Sequence, residues 1–536
     1  MNKSLIEINK LIIFFAFSFL LFFISIYQTQ YFHWSSILDQ DITIIYNSLL
    51  ISSGIEQEYR DHPGYSTFLI YGVILKFFSL FNLSPIGHID ELINSINPDK
   101  DLQNLFLFCR NVNVAINIFL ILILYKLLIK LRFDEISSIL GCCILAVSGW
   151  YTESLFVLRN ENLSLVFFIV SIMSLIHYND NNKPLFIVLS GFFFGFAMLT
   201  KIQIIFLFIF FLIIYLITIN EKIFNKNIIK FTKKYDLFFF LFYILFFLSF
   251  VILQLKLQTF ERFEKIKNLD LILFLGFNFF IFSIFIIRNK FEITKLKLFT
   301  VFLGLYFIGF TISIFFTIFL DLIGFIKLNY FILLRITNPF HYMIEFHVGD
   351  HLEMYNDVKV GFDYFKNLLF IALSKFDYNI LKIAILIMIL FFSLRIDWKK
   401  KNKTFRYKFI IKLLVFFGLI SIIFIMNLRG FLYYYETLVV VPYILVMFYF
   451  LKKFSKKYIY IINFLVIIYF AYCNFFLQEK RKYSFDYYFT NQTSMNLLCK
   501  NDQIFYQDYS YVYFLQYYQN RFSDDFIERL CVNFPK

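Results

Sequence analysis

The sequence predicts an all-α polytopic membrane protein, and three observations predict it. Of its 536 residues, 60% are hydrophobic and only 16% are charged, more apolar surface than a soluble chain of this length can bury. The apolar residues form continuous runs rather than alternating with polar ones, so the spans are helices and not barrel strands. The basic residues gather in short clusters between those runs, as the orientation rule for cytoplasmic loops requires.

Runs long enough to cross a bilayer lie near 11–28, 109–130, 136–150, 162–178, 185–200, 202–219, 236–255, 269–288, 299–320, 381–396, 409–427, 431–451 and 458–478, which makes about 13 spans. The first follows MNKSLIEINK and has no small-residue cleavage site after it, so it is read as a retained helix. The clusters KLLIKLR (126–132), EKIFNKNIIKFTKK (221–234), RNKFEITKLK (288–297), DWKKKNKTFRYK (397–408) and KKFSKK (452–457) then all face the cytoplasm if the N-terminus does. One condition applies. The segment YSTFLIYGVILKFFSLF after His62-Pro63-Gly64 must lie along the outer face or re-enter, because a crossing there would turn every later cluster outward.

With that topology, residues 1–478 form a transmembrane domain with outer loops at 29–108 and 321–380, and 479–536 form a small outer C-terminal region. The Tyr-rich tail is flanked by Cys499 and Cys531, which are able to pair if it faces an oxidising space. Six cysteines are too few for a disulfide framework. The net charge of +14 belongs to the interhelical clusters and does not indicate a nucleic-acid partner.

Candidate chemistry concentrates between residues 38 and 66, in LDQDITIIYNSLLISSGIEQEYRDHPGYS. Carboxylates at the mouth of a bilayer are costly unless water, a metal or a substrate offsets them. Asp39 and Asp41 are candidate general bases or metal ligands. Asp39 is equally a solvated loop acid, and Asp41 equally the cap of the helix that DITIIYNSLLISSG starts. Asp61 and His62 precede Pro63 and Gly64, a turn that aims both at one place or simply opens a helix.

Further along, Arg159 and Glu161 sit where an outer turn enters a helix, Arg110 lies at the start of the second helix, Lys201 ends GFFFGFAMLTK, and Arg429 stands in MNLRGFLYYYE. Each cation alone reads as a snorkelling anchor, and Glu161 as a helix-dipole partner. Together on one side they suit an anionic headgroup such as a phosphate. His341, His347 and His351, with Glu345 and Asp350, supply metal-ligand types at an unspecific spacing. No metal is assigned to the site, and a divalent ion stays an option. No Gly-rich phosphate loop or dinucleotide fingerprint is present, so a nucleotide-driven reaction has no support.

Taken in order, these pieces resemble the GT-C superfamily of polytopic glycosyltransferases, in the branch of protein O-mannosyltransferases and lipid A aminoarabinose transferases. The resemblance rests on Asp39/Asp41, His62-Pro63-Gly64, Arg110, Arg159-x-Glu161, Gly191-x3-Gly195…Thr200-Lys201 and Arg429…Pro442. Two positions depart from that pattern: the acids read Asp39-Gln40-Asp41 rather than a contiguous Asp-Glu, and Gly64 replaces a second proline.

The resemblance implies sugar transfer from a polyprenyl-phosphate donor to a lipid, glycan or protein acceptor at the outer face of a bacterial inner membrane. Asp41 is the implied base, with Asp39 and Glu161 as the other catalytic acids. His62, Lys201 and Arg429 would hold the donor phosphate, while Arg110, Arg159 and Asp61 orient the acids. The rival classes are an outer-face polysaccharide polymerase or ligase, which would place its key residues in the 321–380 loop, and then a transporter. A transporter would carry charges at mid-helix and repeat symmetry, neither of which stands out.

Overall fold

The computed structural model describes residues 21–23, 26, 34, 41–58, 64–81, 83, 86–155, 157–181, 183–207, 294–327, 377–399, 412–420, 422–423, 432–452, 454–488 and 524–532. Among these the chain is helical and without strands. The predicted spans near 236–255 and 269–288, and most of 202–219, lie outside the described residues.

The segment ahead of the first long helix contributes α1 (Thr43–Ser52), α2 (Tyr65–Ser79) and α3 (Ile89–Ile93). All ten residues of α1 are buried. Its end is a left-handed cap: Gly54 takes φ 70°, and the amides of Gly54 and Ile55 return to the carbonyls of Ile51 and Leu50. The chain thereby reverses and lays α2 on α1, so closely that a Cβ on Gly72 would stand 2.9 Å from the Ser48 carbonyl. α2 has 15 residues, fewer than the roughly 20 an untilted span needs.

α4 (Pro98–Lys130) is 33 residues long and begins eleven residues before the apolar run read from the sequence, because its first turns are polar. The start is well marked, with Pro98 at the first helical position, Asp99 and Asp101 in the first turn, and the Asn97 side chain accepting from the Lys100 amide. Trp34 pins the preceding chain to this turn, its indole donating to Asp99 at 2.8 Å and its amide to Gln103 at 2.7 Å. At the far end Arg132 adopts φ 68° in a tight turn, with the amides of Arg132 and Phe133 bonded to the carbonyls of Ile129 and Leu128.

That turn leads to α5 (Glu135–Ala146), capped by Asp134, and then to the short α6 (Gly149–Glu153). The sequence reading placed one helix over 136–150; the described chain breaks it at Val147 and Ser148. α7 (Asn160–Asn181) and α8 (Leu185–Thr200) form a tight pair, in which Ser171 and Ser190 each donate to the other's carbonyl at 2.8 Å. α9 (Thr294–Leu322) crosses α8 with backbone touching backbone. A Cβ on Gly191 would fall 1.9 Å from the Tyr306 carbonyl, and one on Gly309 1.8 Å from that of Val188. Here glycine is required by close approach, not by dihedral angle.

α10 (Asp377–Lys399) packs on α11 (Leu432–Leu451, with Pro442 inside it), and α11 and α12 (Lys456–Tyr488) pack beside α5 and α6, α11 also against α7. Tyr460 of α12 donates to Asp134 at 2.9 Å, tying it to the cap of α5. Finally, α13 (Asp524–Cys531) buries Phe526 and Leu530 and sends Arg529 to the carbonyls of Ile93 and Ser95. Cys531 is disulfide-bonded, whereas Cys109, Cys142, Cys143 and Cys473 are free thiols; Cys499 lies outside the described residues.

Four of the described helical segments are long and apolar enough to cross a membrane: Pro98–Lys130, Asn160–Tyr178, Phe302–Leu322 and Lys456–Cys473. Length and composition therefore suit a multi-pass membrane protein.

Candidate active site

Asp41 resolves one of the alternatives left by the sequence. The residue at the cap position of α1 is Ile42, and no side chain caps that helix. The Asp41 carboxylate is directed elsewhere: Oδ2 accepts from Arg110 Nε at 2.8 Å, and Oδ1 accepts from the Leu158 amide at 2.7 Å. Asp41 and Arg110 are both wholly buried. Burial pushes the Asp41 carboxyl above the ordinary aspartate range, although Arg110, the Leu158 amide and Arg159 all pull the other way.

A second ion pair lies close by in the fold. Lys201 Nζ stands 2.8 Å from Glu161 Oε1, with 4% and 1% of the two side chains exposed. Glu161 occupies the first turn of α7, as the sequence reading had it. Lys201 ends α8 with an extended backbone (φ −151°, ψ 110°), which stops the helix and turns the ammonium back to α7. Arg159 is near enough to act electrostatically on both carboxylates, so the two pairs form one charged group. Within it, Arg110, Arg159 and Lys201 stand around the carboxylates of Asp41 and Glu161.

The entry of α2 closes the group on another side. Ser66 donates to the Phe196 carbonyl at 3.3 Å, one turn before Lys201, and Thr200 donates to the same oxygen at 2.7 Å. A Cβ on Gly64 would meet Asn160 Nδ2 at 3.0 Å and the Phe68 ring at 2.8 Å. The Gly that departs from the resembled pattern therefore sits at a close approach, and a larger residue there would require the Phe68 ring and the Asn160 amide to shift. Asp61, His62 and Pro63, which precede Gly64 in the sequence, lie outside the described residues, as do Asp39 and Arg429. The histidine-rich stretch 341–351 lies outside them too. Among the described residues, no three His, Cys, Asp or Glu side chains converge as a metal-binding group.

Thus the structure brings together five of the residues singled out from the sequence, Asp41, Arg110, Arg159, Glu161 and Lys201. It also adds a set the sequence reading passed over. Asn113, Asn117, Tyr151, Ser154 and Asn162 form a buried polar network beneath Asp41. The available signal was the run Asn111-Val112-Asn113 with Asn117 four residues on, amides inside an apolar helix that need partners.

A buried carboxylate fixed by two donors is equipped to take a proton, and cations grouped beside it suit an anion. The fold and the site together define the class, a helical membrane protein with a charged site buried where its helices enter. Residues 103–252 match the family model of dolichyl-phosphate-mannose-protein mannosyltransferases, in agreement with the GT-C superfamily, and the matched stretch holds Arg110, Arg159, Glu161 and Lys201. The match supports a membrane glycosyltransferase. No curated protein sequence and no solved structure matches the chain.

Proposed function

We propose that this protein transfers a sugar from a polyprenyl-phosphate donor to a lipid, glycan or protein acceptor at the outer face of a bacterial inner membrane. Asp41 takes the proton of the acceptor hydroxyl. That oxygen bonds to the anomeric carbon as the carbon's bond to the phosphate oxygen breaks, with inversion. The electron pair leaves on the polyprenyl phosphate, whose charge Lys201, His62 and Arg429 offset. Arg110 and Arg159 orient the acids, with Asp39, Asp61 and Glu161 completing the acidic wall. The observation that carries the reading is the buried Asp41 carboxylate, held by Arg110 and the Leu158 amide, with Arg159 and the Lys201–Glu161 pair beside it.

The topology proposed with it has about 13 spans and a cytoplasmic N-terminus, with residues 1–478 as the transmembrane domain and 479–536 as the outer region. Two contacts support this arrangement. Arg529 of the tail meets Ile93 and Ser95 of the first outer loop, while Tyr460 meets Asp134 at the opposite end of the helices. The disulfide at Cys531 also suits an oxidising space.

The test is Asp41→Asn in the full chain, in membrane vesicles supplied with radiolabelled polyprenyl-phosphate sugars. Transfer should fall by about a hundredfold or more. Asp41→Asn/Arg110→Gln, which removes both charges of the pair, guards against loss of fold. Undiminished transfer by either variant overturns the mechanism.

A further inference from the structure

We propose that Asn113, Asn117 and Asn162 are positioning residues, whose side-chain amides hold the segment from Ser154 to Leu158 against α4 so that the Leu158 amide reaches Asp41. The inference rests on the reading of Asp41 as the base and adds to it the part of the fold that keeps that base in place.

The Leu158 amide is one of the two groups that fix Asp41, and it belongs to an irregular segment between α6 and α7, not to a helix. Such a segment, buried, leaves carbonyls that the helices do not satisfy, and each costs a few kcal/mol if unbonded. Here one side chain gathers most of them. Asn113 Nδ2 lies 2.7 Å from the Ser154 carbonyl, 3.0 Å from that of Val157 and 3.4 Å from that of Leu155. Asn117, one turn further along α4, donates to the Ser154 carbonyl at 2.7 Å. Asn162 of α7 donates to Asn117 Oδ1 and to Ser154 Oγ, so the segment is held from both helices. Tyr151 closes the far side by donating to the Asn117 carbonyl at 2.6 Å. All three asparagines are buried, at 2%, 0% and 0% exposure.

The arrangement has a direct link to the chemistry. Asn113 stands one turn along α4 from Arg110, so the same helix supplies the cation that grips one oxygen of Asp41 and the amide that holds the donor of the other. Loss of the amide frees the segment and weakens the second grip while sparing the first, and it also removes the acceptor that the Tyr71 hydroxyl finds 3.4 Å away at Asn113 Oδ1. The charged or titratable groups facing Asp41 are Arg110 and Cys109 of α4, Arg159 of the segment's exit and Tyr71 of α2. None of these is removed by an asparagine substitution. The Leu158 amide favours the ionised carboxylate, so its withdrawal moves the acid limb of the transfer rate to higher pH.

The experiment compares wild type with Asn113→Ala and Asn113→Leu in the full chain, the leucine filling similar volume without an N–H. Amide hydrogen exchange read by mass spectrometry should quicken by about tenfold or more in peptides covering 154–158, with α8 and α9 unchanged. Transfer from radiolabelled polyprenyl-phosphate mannose should lose kcat by about tenfold, hold its donor KM within about twofold, and shift its acid limb upward by about one pH unit. Unchanged exchange at 154–158 overturns the proposal, and so does faster exchange with an unmoved acid limb, which would leave the asparagines a merely structural role. Failure of the base reading is told apart by Asp41→Asn: if that variant still transfers sugar, the base is elsewhere, while the exchange arm continues to report on the segment.

Discussion

At one end of the apolar run of α4, Arg110 and Asp41 meet at 2.8 Å with neither exposed, and a second buried pair joins Glu161 to Lys201. At the other end, Lys130 reaches His177 at 2.6 Å while partly open, and Asp134 caps α5 with bonds from Ser137 and Tyr460. Arg110 and Lys130 stand about 30 Å apart along the axis, close to the thickness of a bilayer's hydrocarbon core. The two ends use charge differently. The half-open end uses polar groups to finish helices, which solvent makes inexpensive. The buried end keeps ions where desolvation opposes them, an arrangement that stability alone does not favour. The comparison is what the proposed chemistry at the Arg110 end would require.

The largest effect separating the ends should come from deleting one partner of a pair. Lys201→Met leaves the Glu161 carboxylate buried without its cation and should lower stability by about 3–5 kcal/mol, read from thermal unfolding in detergent. Glu161→Gln/Lys201→Met should recover most of that loss. Lys130→Met should cost no more than about 1 kcal/mol, and an equal loss there would break the comparison.

Acidity offers the next contrast. Burial raises Asp41, whereas at Asp134 burial is outweighed by bonds from Ser137 and Tyr460 and by Lys456, so its carboxyl is lowered. A base works ionised, so transfer should fail as pH drops through the raised Asp41 value, with an acid limb above the ordinary aspartate range. The Asp134 cap is fully stabilising above its unfolded value and fades as pH falls through its lowered one. A rate profile with its acid limb at or below the ordinary value would count against Asp41 as base.

Smaller effects belong to the half-open end. Asp134→Ala should cost about 1 kcal/mol through the lost cap, with transfer per folded molecule unchanged. Arg132→Gly relieves a left-handed backbone and should leave stability equal or better by up to about 1 kcal/mol, seen as an unfolding midpoint that does not fall.

The charged residues of the site were legible in the sequence because charge beside an apolar run is expensive, so each one demands a reason. Which charges meet was not legible, since Asp41 and Arg110 are 69 residues apart and the Leu158 amide a further step away. Among the described residues helix existence followed from run length, but the polar first turns of α4 and the break at Val147 and Ser148 did not, because hydropathy sees neither caps nor kinks. Asn113, Asn117 and Asn162 escaped notice for a related reason. An uncharged amide costs less in an apolar helix than an ion does, and its partners are carbonyls that no sequence pattern displays.

The clasp between Arg529 and the carbonyls of Ile93 and Ser95 joins residues separated by 436 and 434 positions. A ribosome makes the segment around Ile93 and Ser95 long before it makes the helix that fastens it. That segment must wait through the synthesis of nearly everything that follows, which places its fastening among the slow, late events of assembly. Quality control that senses an undocked C-terminal helix would thereby also sense an unfastened entry to α4.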